Sequence, residues 1–160
     1  PATEFEFGPI NLFSGGNGSG KTTAADAIQT IMTAAHDTLF MFNPGQDEAT
    51  QRGRNKQVRT LASYVLGCDD GSYARPLGAI GYLAAIFYPT SGEDAEPFTA
   101  LIGCSAVLDD AGSKSSARQK DMQFFIFPGE QLTLDDVLIT GKDGDRQVLP
   151  MDMLNRQLKR

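Results

Sequence analysis

The residues with the clearest chemistry are Gly15-Gly16-Asn17-Gly18-Ser19-Gly20-Lys21-Thr22. A glycine, four residues, then Gly-Lys-Thr is the spacing of a loop that cradles a polyphosphate. Such a ligand carries several negative charges, and a wall of cations built to meet them would repel itself. A glycine-rich turn avoids this by pointing successive backbone N–H groups into one concavity. Gly15, Gly16, Gly18 and Gly20 permit positive φ and let the backbone approach oxygens where a Cβ would collide. Lys21 supplies one mobile charge, suited to β- and γ-phosphates, and is the residue expected to matter for catalysis. The Thr22 hydroxyl is placed to ligate Mg²⁺, and Thr23 completes the expected binding set. ATP with Mg²⁺ is therefore the expected cofactor pair. At ordinary residue frequencies a chance match in a chain of this length has a probability of roughly 0.5%.

Such a loop needs a strand leading in and a helix leading out. Phe5, Phe7, Ile10 and Leu12 are apolar with a period near two, broken at Gly8-Pro9, which predicts a strand running through Phe13 into the glycines. Ala24, Ala27, Ile28, Ile31, Met32 and Ala35 fall on one face of a helix starting near Thr22. That helix would add its unpaired amides and positive dipole end to the loop.

Beyond it, residues 36–55 are polar and turn-rich (Asn43-Pro44-Gly45, Arg52-Gly53) and read as a surface loop. Residues 59–66 fit a short helix or strand. Residues 78–88 and 98–108 are strand-like; in the second, Phe98, Ala100, Ile102, Cys104, Ala106 and Leu108 take every other position, the pattern of an antiparallel sheet with one covered face. Residues 109–120 read as a polar linker and 124–127 as a strand stopped by Pro128-Gly129. Thr133 can cap a short helix through Val137. Met151, Leu154 and Leu158 mark a last helix with Pro150 near its start. No internal repeat is present. The first residues fall inside a strand-like stretch and the last inside a helix-like one, so the chain is expected to be a piece of a longer protein.

The 160 residues suffice for one domain with a real core, and a composition of 41% hydrophobic and 21% charged residues is that of an ordinary globular protein. A net charge of −6 argues against a uniformly basic nucleic-acid-binding surface. Any such contact must be local. The candidates are Arg52, Arg54 and Arg59, with Lys56 between them: either they touch DNA phosphates or a nucleotide across a dimer, or they form a solvated loop paired with Asp47 and Glu48. The longest apolar stretch, about ten residues from Ala79, is too short to span a bilayer needing ~20. Cys68 and Cys104 follow no metal-ligand spacing and are expected to be free buried thiols in a reducing cytosol. His36, the sole histidine, fits a helix C-terminus. Asp69-Asp70 and Asp135-Asp136 fit turn and helix-start positions. Ala106-Val107-Leu108-Asp109-Asp110 weakly imitates a Walker B strand; the competing reading is a strand entering a hairpin turn at Asp109-Asp110-Ala111-Gly112.

Ile10 to Thr23, followed by Asp26-Ala27-Ile28-Gln29, resembles the N-terminal head segment of the SMC and RecF class of ABC-type ATPases. Phe42-Asn43-Pro44-Gly45, Arg52-Gly53-Arg54-Asn55, Arg59 to Gly67 and Arg146-Gln147-Val148-Leu149-Pro150 look like the MukB-like SMC proteins, the MksB and JetC types among them. The resemblance runs over most of the chain, but only the phosphate loop is a strict motif. It implies an α/β P-loop NTPase fold, with residues 1–160 forming the N-terminal ATP-binding lobe of an SMC-like head that carries an antiparallel β-subdomain. It further implies a cytoplasmic, nucleoid-associated ATPase acting on DNA in chromosome segregation or plasmid defence. Its partners would be its own C-terminal lobe, a second head in a homodimer, a kleisin, small winged-helix subunits and DNA, with no membrane. The residues include no Leu-Ser-Gly-Gly-Gln type signature, so this chain should bind ATP but hydrolyse it hardly at all without the C-terminal lobe. Gln131 is a candidate for the glutamine that reads Mg²⁺ and γ-phosphate, although the MukB-like pattern puts that loop beyond residue 160. The alternatives are a nucleotide-binding subunit of an ABC transporter and a RecF/SbcC-like repair ATPase. A GTPase is disfavoured by the absence of Asn-Lys-x-Asp, and a small-molecule kinase could offer only Arg52 and Arg54 as lid arginines.

Overall fold

The computed structural model describes residues 3–36, 38–42, 59–69, 72–111 and 114–157. Its centre is an antiparallel sheet of three strands in the order β3-β4-β5, formed by Ala79–Phe87, Phe98–Ala111 and Lys114–Pro128. Two short ladders accompany it: β1 (Cys68–Asp69) with β2 (Ser72–Tyr73), and β6 (Leu138–Thr140) with β7 (Arg146–Val148). The helices are α1 (Lys21–Met32), α2 (Leu61–Leu66) and α3 (Met151–Gln157), and a 3-10 turn spans Leu134–Val137.

β4 is the middle strand, paired on both edges, and both of its faces are covered rather than the one its alternation predicts. On one face Leu101 meets Leu132, Val137, Leu149 and Leu154, with Tyr82, Phe125 and Phe127 beside them. On the other, Ala106 meets Ala62 and Leu66 of α2. The alternation misleads because the second face interleaves Leu101 with Thr99, Gly103 and Ser105, whose polar or absent side chains read as a solvated side. Met151 and Leu154 of α3 are buried, in line with the predicted stripe, while Leu158 lies outside the described residues.

Residues 109–120 are not a linker. β4 runs to Ala111 and β5 begins at Lys114, giving one long hairpin with a bulge at Lys120, where Ser105 pairs with Asp121 and Ala106 with Gln119. The polar composition hides two anchors: Leu108 and Ala117 pack against the α2 cluster, and the Ala117 amide donates to the Tyr73 hydroxyl at 3.2 Å. Arg118 and Asp109 form an ion pair across the ladder at 3.4 Å.

The stretch 59–66 resolves as a helix because Thr60 caps it. The Thr60 hydroxyl accepts from the Ser63 amide at 3.1 Å and the Ser63 hydroxyl accepts from the Thr60 amide at 2.9 Å, satisfying two orphan donors reciprocally.

The predicted strand before the phosphate loop is absent: residues 3–14 form no strand, and Ile10 and Leu12 are 94% and 89% exposed. A strand is held by ladder bonds to a neighbour, and among the described residues no strand lies alongside this segment. Local contacts shape it instead. The Asn11 side chain accepts from the Gly8 amide at 2.8 Å and donates to the Gly8 carbonyl at 2.7 Å, and Phe7 sits between the rings of Phe5 and Phe13. The antiparallel sheet expected of a β-subdomain is therefore present, and the sheet expected to carry the loop is not among the described residues.

Candidate functional site

The glycine loop folds as a turn that ends where α1 begins, at Lys21. Gly15, Gly18 and Gly20 hold φ of 151°, 77° and 86°. Gly20 is the N-cap of α1 in the left-handed region, a position with no Cβ penalty only for glycine. A Cβ on Gly15 would come within 2.7 Å of Ser19 Oγ, whereas at Gly16, Gly18 and Gly20 the same direction opens onto empty space. Among the described residues, one backbone bond closes the loop internally, from the Ser19 amide to the Gly16 carbonyl at 3.4 Å, and the first bond of the helix runs from the Ala24 amide to the Gly20 carbonyl at 2.9 Å.

Lys21 folds back over this turn. Its Nζ donates to the carbonyls of Gly15 and Gly16, both at 2.7 Å, and to Ser19 Oγ at 3.3 Å. The ammonium thereby ties the start of the turn, at Gly15 and Gly16, to its far side at Ser19. Thr22 and Thr23 are exposed in the first turn of α1. Free amides at a helix N-terminus, one lysine and an exposed hydroxyl in the next position make a cradle complementary to a bound anion and a hydroxyl-ligated cation.

The helix that follows is not held by its apolar stripe. Its two buried side chains are Asp26 and Thr30, while Ala24, Ala27, Ile28 and Ile31 are half-buried and Met32 is exposed. Asp26 was legible as a family-like residue but gave no periodicity signal as a buried one. Thr30 satisfies itself by donating to the Asp26 carbonyl at 2.7 Å. The Asp26 carboxylate accepts a short hydrogen bond from the hydroxyl of Tyr64 in α2. Arg59 donates to the same hydroxyl at 3.1 Å and lays its guanidinium 5.7 Å from the ring centroid. Phe42 meets the ring at 5.5 Å. Burial, then the bond to Asp26, pushes the Tyr64 hydroxyl up to about 12 from its ordinary 10. The helix ends at Met32, a turn earlier than the apolar pattern, because Ala34 and Ala35 take positive φ and the Ala35 amide closes on the Thr30 carbonyl at 2.7 Å.

The other sequence candidates are dispersed. Arg59 is brought to α1 through Tyr64; Arg52, Arg54, Lys56, Asp47 and Glu48 lie outside the described residues. His36 lies past the helix end, its Nδ1 2.9 Å from Thr38 Oγ1. Asp109 and Asp110 lie within β4, not at its turn, with Asp109 paired to Arg118. Gln131 accepts from the Tyr88 hydroxyl at 3.0 Å. Asp135 pairs with Arg146, and Asp136 accepts from the Thr133 amide at 2.7 Å. Asp69 ends β1 and Asp70 is outside the described residues. Both cysteines are free, Cys104 buried but Cys68 exposed. Among the described residues no group of three His, Cys, Asp or Glu could hold a metal, and no helix is long and apolar enough to cross a membrane.

A family model described as an AAA domain matches residues 2–55, the segment that holds the loop and α1. The match indicates a nucleotide-binding, AAA-type P-loop ATPase-like domain there. No curated protein and no solved structure matches the chain.

Proposed function

We propose that this chain is the ATP-binding N-terminal part of an SMC-like head of the MukB type, with residues 1–160 as its N-terminal lobe. The observation that carries this reading is the turn Gly15–Gly20, with left-handed backbone at Gly18 and Gly20, running into the N-terminus of α1 and bridged by Lys21. Gly15 to Gly20 with Lys21, Thr22 and Thr23 would hold the triphosphate, and Thr22 would ligate Mg²⁺. A Mg²⁺ ion held there would supply neutralisation of phosphate charge and orientation of the γ-phosphoryl group. The chain's own contribution is to bind and orient: amides and dipole toward the phosphates, Lys21 moving from carbonyls to phosphate oxygens.

The SMC-like reading is supported by Asn17-Gly18-Ser19-Gly20-Lys21 with Asp26-Ala27-Ile28 just downstream, by the Arg59 to Gly67 stretch, and by the antiparallel hairpin sheet that follows in the chain. On that reading the protein acts on DNA in the cytoplasm, at the nucleoid, in segregation or plasmid defence. It would work through its C-terminal lobe, a second head, a kleisin and winged-helix subunits. The bare residues 3–14 suit a lobe whose partner strands come from elsewhere in the protein. Hydrolysis would then require that lobe and head dimerisation.

The test is titration with Mg-ATP. Lys21→Ala should weaken binding at least a hundredfold, since it removes the one full charge aimed at the phosphates and the bonds that close the turn. Equal affinity in the variant would sink the assignment of this site.

A further inference from the structure

Asp26 is 1% exposed on the helix that starts at the phosphate loop. Burying a carboxylate is costly even when it is paired, and an apolar side chain at such a position often serves stability as well or better. Its placement there calls for another account. The Asp26 backbone stands about 7.5 Å along the helix axis from that of Lys21, at the rise of an α-helix, and its carboxylate is the point where α1 meets the hydroxyl of Tyr64. Elsewhere on α1 Thr30 is the other buried side chain, and the apolar stripe is only half-buried. Tyr64 in turn is fixed on three sides: Arg59 donates to its hydroxyl at 3.1 Å and lies over its ring, Phe42 packs on the ring at 5.5 Å, and its helix is seated on β4 through Ala62 and Leu66.

We propose that Tyr64 is a positioning residue for the triphosphate site: its hydroxyl, bonded to the Asp26 carboxylate, fixes the seat of α1 on α2 and so the direction in which the helix N-terminus meets the phosphates. The proposal rests on the triphosphate reading given above and adds a part that lies 43 positions past Lys21 (64 − 21) in sequence, in a different helix. Coupling is reciprocal. If the link sets the site, phosphate in the site must be felt at the tyrosine.

The experiment uses the 160-residue chain. Parent, Lys21→Ala, Tyr64→Phe and Asp26→Asn are titrated with Mg-ATP at a temperature where urea melts show each to be folded. Tyr64→Phe keeps the ring, and with it the Phe42 and Arg59 packing, but removes the link; its affinity should fall roughly tenfold, the scale of one lost charge-assisted hydrogen bond. Asp26→Asn keeps an acceptor oxygen but removes its charge, so its affinity should fall too, by about threefold, to a value between the parent and Tyr64→Phe. The chain has four tyrosines and no tryptophan, so the near-ultraviolet tyrosine band reports directly. Magnesium tripolyphosphate, which lacks a purine chromophore, should perturb that band in the parent and leave most of the change missing in Tyr64→Phe. A parent that binds while Tyr64→Phe matches it in affinity, or in tripolyphosphate spectrum, overturns the role of Tyr64 and leaves the ATP site standing. A parent that fails to bind Mg-ATP overturns both.

Discussion

Gly103 occupies the middle of the central strand with a backbone any residue could adopt, and the structure says that alanine there will be harmful. Opposite it in the β3-β4 ladder is Tyr82. A Cβ built on Gly103 falls 2.7 Å from Tyr82 Cε1 and 3.1 Å from Cδ1, with Met151 Cε at 3.5 Å. The ring cannot simply swing away, because its hydroxyl donates to the Leu149 carbonyl at 2.7 Å and the ring itself borders the cluster of Leu101, Leu132, Leu149 and Leu154. Two effects compete. Removing glycine from a strand is favourable by about 0.5–1 kcal/mol through the unfolded chain. Forcing a methyl into a packed contact costs about 1–3 kcal/mol. With the ring pinned, overpacking wins by roughly 1–2 kcal/mol, which for a domain of this size lowers Tm by about 5 °C. Circular dichroism melts of parent and Gly103→Ala measure this. Tyr82→Phe frees the ring to shift, so the penalty for Gly103→Ala should shrink in that background. A Gly103→Ala protein that melts at or above the parent would refute the claim that close ring approach dictates glycine here.

Two further predictions rest on the same sheet. Thr99, fully buried, donates to the Glu130 carbonyl at 2.7 Å and accepts from the Leu132 amide at 3.1 Å; Thr99→Val keeps the shape, strands both backbone groups, and should cost roughly 2 kcal/mol in urea unfolding. Stability should also fall in alkali. Burial pushes the hydroxyls of Tyr64 and Tyr82 up to about 12 from 10, and the Cys104 thiol up to about 11 from 9, with Asp26, Asp152 and Asp121 adding to the respective shifts. The unfolded chain releases these protons first, so the stabilisation is whole below pH 9 and drains away as pH climbs toward 12. Urea midpoints between pH 8 and 11.5 should show the decline, and Tyr82→Phe should make it shallower; an equal slope in the variant would count against the burial of that hydroxyl.

What could be read from the residues depended on whether the deciding partner was near in sequence. The glycine loop and the start of α1 are local: four glycines, a lysine and a helical stripe suffice, and the turn, its positive φ values and the N-terminus at Lys21 follow. The cap at Thr60 was equally local, yet only its geometry separated helix from strand. The long hairpin is not legible because its polar arms owe their anchoring to Tyr73 and to α2, far earlier in the chain. The second covered face of β4 depends on residues 132–154, which arrive from the other side of the sheet.

The Asp26–Tyr64 link was beyond sequence reasoning for the same cause, and it bears on how the site works. The separation is 38 residues, and no periodicity distinguishes a buried aspartate from a solvated one. Yet the two failures of the apolar pattern belong together. Residues 5–13 carry strand chemistry and lie bare, while α1 carries a helical stripe and leaves it half-covered. Both elements that flank the glycine loop therefore present apolar side chains without a full complement of neighbours, and the fixed point among them is polar. A helix seated by apolar contact alone could rock about its axis with little penalty, since that attraction has no direction; a hydrogen bond to a buried carboxylate has both direction and distance. Placing such a bond one and a half turns behind Lys21 holds the loop in aim before anything else packs against the helix.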